Sequence, residues 1–467
     1  MFGAPAGMGS PEVGDIEVLV HEDRLHLFHL TLPNHDLVQH AVSDDGLTWT
    51  QVAHALRVGD PGEVDDDQIW TMGVCSHDGR FVMLYTALSR AENGMVQRVA
   101  FAESDDLMTW SKRPGVVVES DARWYEAARV DGNNVSWRDP KPIFLDDSWL
   151  VLVSARSGDG DFLRRGAVGG FVTRDFQRFE VVPPLFTPGQ FWYLECPQVF
   201  RIGDWWYLTA GVMEDLSQRY WISRSAQGPW HVPSDGGRLA PRGHYAAKVV
   251  DWRDATLLYC WHQVPTGRLD WDARNPTGRA VPAPIELVQQ TDGSLEAASF
   301  SGWGALASPG RDFTVRAEPA AGVYSTATQE VGTNFRLKGR LTLGPVSGGI
   351  VLRQKSNSGG YFIEMTKGST VVQLRKTLAT RDVVRGRPWF TSTVLQQGEL
   401  RLPLADEAIA INLTINGPYV EFSVNDQVVL ATFTAERTDG ELGVWSQGGP
   451  VECVATIESL TEAGGWS

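Results

Sequence analysis

The sequence predicts an all-β protein: an N-terminal five-bladed β-propeller followed by a C-terminal antiparallel β-sandwich. Three observations carry that prediction. Short alternating apolar runs behind polar turns recur through the first 290 residues. Helical periodicity is almost absent. Strand patterns resume after a Gly-rich stretch near residue 300.

The recurring runs are EDRLHLFHL (22–30), DGRFVMLYTAL (78–88), DDSWLVLVSA (146–155), GDWWYLTAG (203–211) and RDATLLYCWHQ (253–263). Their alternation and β-branched or aromatic content predict strands, and their Asp-Gly and Gly-Asp pairs predict hairpin turns. A second pattern follows each of the first four: SDDGLTWTQ (43–51), SDDLMTWSK (104–112), TRDFQRFEV (173–181) and SAQGPWHV (225–232). Here a polar turn precedes an aromatic residue and another short strand. The period of about 50 to 70 residues leaves room for roughly four strands per unit, the content of a propeller blade.

The propeller is expected over residues 1–290. A linker is expected over 291–312, TDGSLEAASFSGWGALASPGRD, and the sandwich over 313–467. Strands in the last part are NFRLKGRLTL (334–343), GYFIEMTKG (360–368), STVVQLRKTL (369–378), AIAINLTING (408–417), YVEFSVNDQVVLATFT (419–434) and ELGVWSQGG (441–449), with Asn425-Asp426 as a hairpin turn.

A net charge of −16 argues against nucleic acid and anionic membranes as partners, since both select basic surfaces. Eighteen Trp suit both cores and stacking on sugar rings. Cys75, Cys196, Cys260 and Cys453 are widely spaced, with no C-x-x-C pair, so buried free thiols are expected. The start, MFGAPAGMGSPEVGD, lacks a basic region followed by an apolar one, and a cytoplasmic location is the expectation.

In a propeller the first strand of each blade lines the central channel. These strands are expected at IEVLV (16–20), WTMGVC (70–75), KPIF (141–144), PQVF (197–200) and AAKVV (246–250). Asp15, Asp139 and Glu195 then take equivalent places in three blades and meet at one mouth of the channel. Arg138 lies beside Asp139, and His244 and Tyr245 head the fifth inner strand. Glu195 should face a partly dry cleft walled by aromatics such as Trp192 and Trp70. Crowding and desolvation there raise the pKa of one carboxyl. A protonated and an ionised carboxyl side by side are the machinery of glycoside cleavage.

These residues resemble a known family. SWRDPKPIF, with Arg138, Asp139 and Pro140, matches the Arg-Asp-Pro motif of glycoside hydrolase family 32, the β-fructofuranosidases, which are related to families 43 and 68. LECPQVF, with Glu195, Cys196 and Pro197, matches its Glu-Cys-Pro motif. VQHAVSDDGLTW (38–49), the segment starting at Trp70, and HYAAKVV are similar to further stretches of the family. The resemblance implies Asp15 as nucleophile, Glu195 as general acid/base and Asp139 as stabiliser. Arg138, Gln39, Trp70, Trp192, His244 and Tyr245 are the expected substrate contacts. The family's opening Trp-Met-Asn-Asp-Pro-Asn-Gly reads PEVGDIEVLV here, which keeps Asp15 and leaves Glu12 and Glu17 as competing acids. The spacing after Asp15 also suits the mostly inverting family 43.

Other signals have plainer readings. His26, His29, His35 and His40 cluster without a metal-ligand spacing. Asp65, Asp66 and Asp67 read as a solvated loop, and Glu126 in RWYEAAR as a surface turn. No cofactor or metal is expected. The expected function is cleavage of a terminal furanoside, a β-fructofuranoside above others, by a retaining two-carboxylate mechanism on an oligosaccharide or disaccharide. An arabinofuranosidase, a fructosyltransferase and a non-catalytic carbohydrate-binding propeller are the alternatives.

Overall fold

A computed structural model of the protein describes residues 12–129, 133–263, 279–318, 325–355, 359–381, 388–404, 408–434 and 438–462. The first compact unit holds the described residues up to Leu239, with His244–Trp261 and Arg279–Glu296. Its first blade is β1 (Glu12–His21), β2 (Arg24–Leu32), β3 (Leu37–Ser43) and β4 (Thr50–Arg57). The second is β5 (Gln68–His77), β6 (Arg80–Leu88), β7 (Arg98–Ser104) and β8 (Ser111–Val118). The third is β9 (Trp137–Leu145), β10 (Ser148–Arg156), β11 (Gly166–Thr173) and β12 (Glu180–Phe186). The fourth has β13 (Glu195–Ile202), β14 (Trp205–Val212) and β15 (Ser217–Ser223), with an added bridge from Ile222 to His231. The fifth has β16 (His244–Trp252), β17 (Ala255–Gln263), β18 (Arg279–Ala280) and β19 (Ile285–Gln289).

The five recurring runs are thus the second strands of the five blades. They are the most regular strands because both faces pack on neighbouring blades. The turns behind them follow local chemistry: Glu22-Asp23 and Asp146-Asp147 both take positive φ, as a two-residue hairpin with right-handed strand twist requires. The second repeat is the turn between third and fourth strands. Asp45 accepts from the amides of Leu47 and Thr48, Asp106 from Met108 and Thr109, and Asp175 from Gln177 and Arg178. Ser43, Ser104 and Thr173 cap the same turns through their hydroxyls.

Inner strands pack in ring order: β1 on β5, β5 on β9, β9 on β13, β13 on β16, and β16 back on β1. Apolar layers fill the space between blades. Phe28, Met72 and Tyr85 lie between the first and second, and Phe101, Trp137 and Phe171 between the second and third. Each such side chain contributes about 1.5–3 kcal/mol on burial. The ring closes where Trp252 Nε1 donates to Asp23 O (2.9 Å) and Tyr259 to Gly46 O (3.3 Å), from blade five to blade one. Trp137 and Trp303 are fully buried, so part of the Trp surplus is core.

The second unit includes the described residues from Ala297 onward. The expected linker at 291–312 is structured: it contains β20 (Leu295–Ser299) and a short 3-10 helix, Ser301–Leu306, and the unit boundary falls within β20. Two antiparallel sheets follow. One contains β21 (Arg311–Ala317), β23 (Phe335–Thr342), β28 (Ile409–Asn416), β29 (Tyr419–Val424), β30 (Gln427–Phe433) and β32 (Val451–Ser459). The other contains β22 (Ser325–Gln329), β24 (Ser347–Lys355), β25 (Gly359–Thr366), β26 (Val371–Arg381), β27 (Pro388–Glu399) and β31 (Glu441–Gln447). Their facing apolar residues, among them Phe335, Leu337, Ile363, Leu413 and Phe422, form one core. All four cysteines are buried free thiols. Among the described residues no helix is long and apolar enough to cross a membrane.

One sequence reading is corrected here. Asp65 and Asp66 are buried, not solvated. Lys112 and the Tyr85 hydroxyl bond Asp65, and the amides of Gly62 and Arg90 bond Asp66, so local donors replace water. Of the clustered histidines, His26, His29 and His40 are core, in keeping with the plainer reading, and His35 is only partly buried. His26 Nδ1 lies 3.0 Å from His40 Nε2, His40 stacks on Phe28, and His29 Nδ1 lies 2.9 Å from Leu30 O.

Burial lowers the pKa of His26 and His29 to about 4 and of His40 to about 3, from an ordinary 6.5. The folded protein therefore keeps these rings neutral at pH values where the unfolded chain protonates them. Their stabilising contribution is complete above pH 6.5 and is lost as pH falls toward 4, at roughly 1.4 kcal/mol per pH unit for each ring. Urea unfolding midpoints should fall steadily across that window. His40→Phe should flatten the dependence; an unchanged slope would remove His40 from the account.

Candidate active site

The site is built by irregular starts to the inner strands. Pairing registers shift between Val13 and Ile16 in β1, Trp70 and Met72 in β5, and Glu195 and Gln198 in β13, and on β10 opposite Asp139. Asp139, Cys196 and Ala246 take φ of 59°, 49° and 51°, in the left-handed region costly for residues with a Cβ. A bulge re-aims the side chain next to it. Matching left-handed residues make Cys196, not Glu195, the counterpart of Asp139. Glu195 precedes that position by one residue, in line with Arg138 and Tyr245. The expected equivalence of Asp15, Asp139 and Glu195 is corrected in this respect. Side-chain alternation therefore separates Glu195 from the two aspartates, and the bulge lets it turn back toward them.

Asp15 and Asp139 meet directly. One carboxylate oxygen of each lies with the Cys196 sulfur in a group of atoms all within 4.8 Å of one another. Trp261 Nε1 donates to Asp15 Oδ1 at 2.6 Å, and the Thr71 hydroxyl donates to Asp15 Oδ2. Asp139 Oδ2 accepts the Cys196 amide at 2.9 Å, and the Asp139 amide donates to the Thr86 hydroxyl at 3.0 Å. Burial raises the Asp139 pKa to about 6; Glu195 and Asp15 push it the same way, while Arg138 and the Cys196 amide oppose. These two carboxylates and the thiol could in composition meet a cation. Each carboxylate already accepts protein donors, and burial holds the thiol pKa far above its ordinary value, so the thiol stays protonated.

Glu195 is clamped on both oxygens. Arg138 Nη2 donates to Oε1 at 2.6 Å, and the Tyr245 hydroxyl to Oε2 at 2.5 Å. Arg138 is itself buried, with its guanidinium 4.4 Å over the Tyr193 ring and Nη1 bonded to the Ser136 hydroxyl. Burial alone would lower its pKa, but Glu195 and Asp139 outweigh that and raise it. Burial, then Glu195, also push the Tyr245 hydroxyl well above its ordinary pKa, so it remains a donor.

Behind this pair sits a second one. Arg156 lies 5.4 Å over the same Tyr193 ring, and its Nε donates to Glu126 Oε2 at 3.1 Å. Glu126 is buried, contrary to the surface turn expected from RWYEAAR. Arg156, Arg165 and Asn133, none of them in the RWYEAAR stretch, surround it.

One step further along the inner strands lies another charged layer. Lys141 of β9 bonds Glu17 Oε1, and Lys248 Nζ of β16 is 3.6 Å from Glu17 Oε2. Gly73 is the β5 residue at this level, where a Cβ would collide with the Pro140 carbonyl. Glu17 is thus held between two lysines and does not compete with Asp15. Glu12 opens β1 three residues before Asp15.

The remaining expected contacts are placed as follows. Trp70 precedes Thr71 in β5 and donates to Gln68 Oε1 at 2.7 Å. Trp192 stacks on Tyr193, with centroids 5.0 Å apart, and its carbonyl accepts from Arg156. His244 is buried at the head of β16. Gln39 lies on the third strand of blade one, where its carbonyl oxygen meets Gln51 and His54, and the described contacts do not join it to the carboxylates. Thr71, Trp261, Tyr193, Lys141 and Lys248 escaped the sequence reading. Thr71 was legible from its register with Asp15, but Trp261 comes from a second strand and carried no signal.

Residues 16–271 match the model of the glycosyl hydrolases family 32 N-terminal domain. Over 181 residues the chain is 28% identical to β-fructofuranosidase 1 of Zea mays, which is 36% of this chain and 25% of that relative's length. The fold is that of fructan 1-exohydrolase IIa from Cichorium intybus: TM-score 0.72, 15% identity, covering 99% of this chain and 98% of that one. The same chicory protein matches as a complex with 1-kestose: TM-score 0.71, 15% identity, 99% and 98%. Sucrose-6-phosphate hydrolase from Lactobacillus gasseri gives a TM-score of 0.73, with 15% identity, 99% of this chain and 93% of that one.

The Arg156–Glu126 pair generates a stability prediction. Glu126→Gln leaves Arg156 buried without its counter-charge and should cost about 3–5 kcal/mol, measured by chemical denaturation. A loss below about 1 kcal/mol would place Glu126 on a solvated surface after all.

Proposed function

The chain belongs to glycosyl hydrolase family 32, and from that premise we propose that it hydrolyses terminal β-fructofuranosides of a disaccharide or oligosaccharide with retention of configuration. The observation that carries this reading is the convergence of Asp15, Asp139 and Glu195, with Glu195 held on both oxygens by Arg138 and Tyr245.

In this mechanism the protonated Glu195 gives its proton to the glycosidic oxygen while Asp15 attacks the anomeric carbon. The C–O bond to the leaving sugar breaks and a covalent fructosyl–Asp15 ester forms. Glu195, now ionised, takes a proton from water. That water attacks the anomeric carbon and releases Asp15. Trp261 and Thr71 fix the plane of the Asp15 carboxylate; the Cys196 thiol also donates to Oδ2, at 3.8 Å, and Oδ1 keeps an acceptor site for the substrate. Asp139 accepts from sugar hydroxyls, with bonds that tighten as positive charge develops on the ring.

Release of fructose from sucrose, 1-kestose and inulin, set against aryl arabinofuranosides, tests the substrate class; release of arabinose alone would overturn it. Methanol as acceptor should give methyl β-fructofuranoside, and the α-anomer would show inversion. Glu195→Gln should keep the fold and lower kcat by about 10² to 10⁴-fold on natural substrates. Near-full turnover would remove Glu195 as the acid. Since Asp139 acts ionised and titrates near 6, kcat/KM should fall as pH drops below about 6. Asp139→Asn should lower activity and abolish that limb.

A further inference from the structure

The carboxylates at the channel mouth are poorly balanced by their own neighbours. Among the described residues Asp15, Asp139 and Glu195 have one cation in contact, Arg138, which bonds Glu195 and stands 3.7 Å from Asp139. The compensating charge lies one layer down the axis. Glu17 and Lys248 have side chains with no solvent exposure. Glu17 Oε1 is bonded by Lys141, while Glu17 Oε2 and Lys248 Nζ make no hydrogen bond. A buried ammonium without a hydrogen bond is costly and persists where charge compensates it. Glu17 can neutralise only one of the two lysines, so this layer carries one net positive charge. Across both layers, three cations face four carboxyls, and a single retained proton makes the cluster neutral.

We infer that the Lys141–Glu17–Lys248 layer is the built-in counter-charge of the catalytic carboxylates, with Lys248 a positioning residue that favours the ionised form of Asp139. This inference rests on the proposed glycosidase reading for its catalytic meaning, but its electrostatics stand apart from turnover. Groups facing Lys248 come from the strands packed on it: Asp15 and Glu17 on β1, Asp139 and Lys141 on β9, and Cys196 on β13. Cys75 on β5 adjoins Lys141. Glu17, with Asp139 and Asp15, outweighs burial and holds Lys248 protonated above its ordinary range. Burial lowers Lys141 despite Glu17. Lys248 is therefore the cation that persists when the layer is titrated. Glu17 stands where the family's opening motif has its second Asn, so the layer belongs to the same departure that removed that motif.

The test neutralises the cation without touching the groups that meet substrate. Lys248→Met and Lys248→Gln should move the carboxyl titration of Asp139 up by about one pH unit, read by ¹³C NMR in the absence of substrate and assigned with Asp139→Asn. The acidic limb of kcat/KM should move with it, a loss of about tenfold one unit below the original midpoint. Lys248→Arg keeps the charge and should leave both readings in place. Lys141→Met gives the same neutralisation at a second position if the Lys248 variants do not fold. A titration unmoved in folded Lys248→Met or Lys248→Gln, or moved equally in Lys248→Arg, would overturn the inference. Inactivity of the wild type on fructosides would instead overturn the glycosidase reading and leave the NMR result standing.

Discussion

Everything at the centre of the propeller depends on one constraint: five inner strands converge so closely that their ionisable side chains must balance each other without water. Isolated buried charges are not tolerated, so each acid needs a cation or a set of donors. The protein meets this in layers. Arg138 and Tyr245 hold Glu195, Trp261 and Thr71 hold Asp15, the Cys196 amide holds Asp139, and two lysines hold Glu17.

The backbone takes part in that balance. Left-handed residues at Asp139, Cys196 and Ala246 cost of order 1 kcal/mol or more each and persist because packing over-determines them. Strain at the mouth turns main-chain amides and side chains inward where a regular strand would alternate them away. The Cys196 amide on Asp139 is one result; the inward Glu195 beside it is another. Rigidity then comes from behind, where Tyr193 carries two guanidinium groups and Trp192, and bonds Asn134 at 2.9 Å. General acid catalysis needs a carboxyl held in one place, and this packing supplies it.

Much of this was legible in the sequence. The second strand of every blade announced itself because both its faces are packed and its turns use local Asp and Gly chemistry. Arg138-Asp139-Pro140 and Glu195-Cys196-Pro197 marked the starts of two inner strands at one mouth of the channel. The errors share a cause. Asp65 sits in a polar stretch that looks solvated, Glu126 in a short stretch that reads as a turn, and their partners lie 47 and 30 residues further along the chain. Gln39 fell in a family-like stretch, but strand pairing turns it toward Gln51 and His54.

The sequence by itself determined the architecture, because alternation and turn residues act over a few positions and repeat five times. It also determined which residue types reach the axis, because the strand before each blade's first turn is countable. Only the tertiary structure decided which acids meet, in which protonation state, and against which cations. The pKa of Asp139 depends on burial and on charges from its own strand and two others, and the place of Glu195 on a one-residue bulge that a period of two cannot reveal.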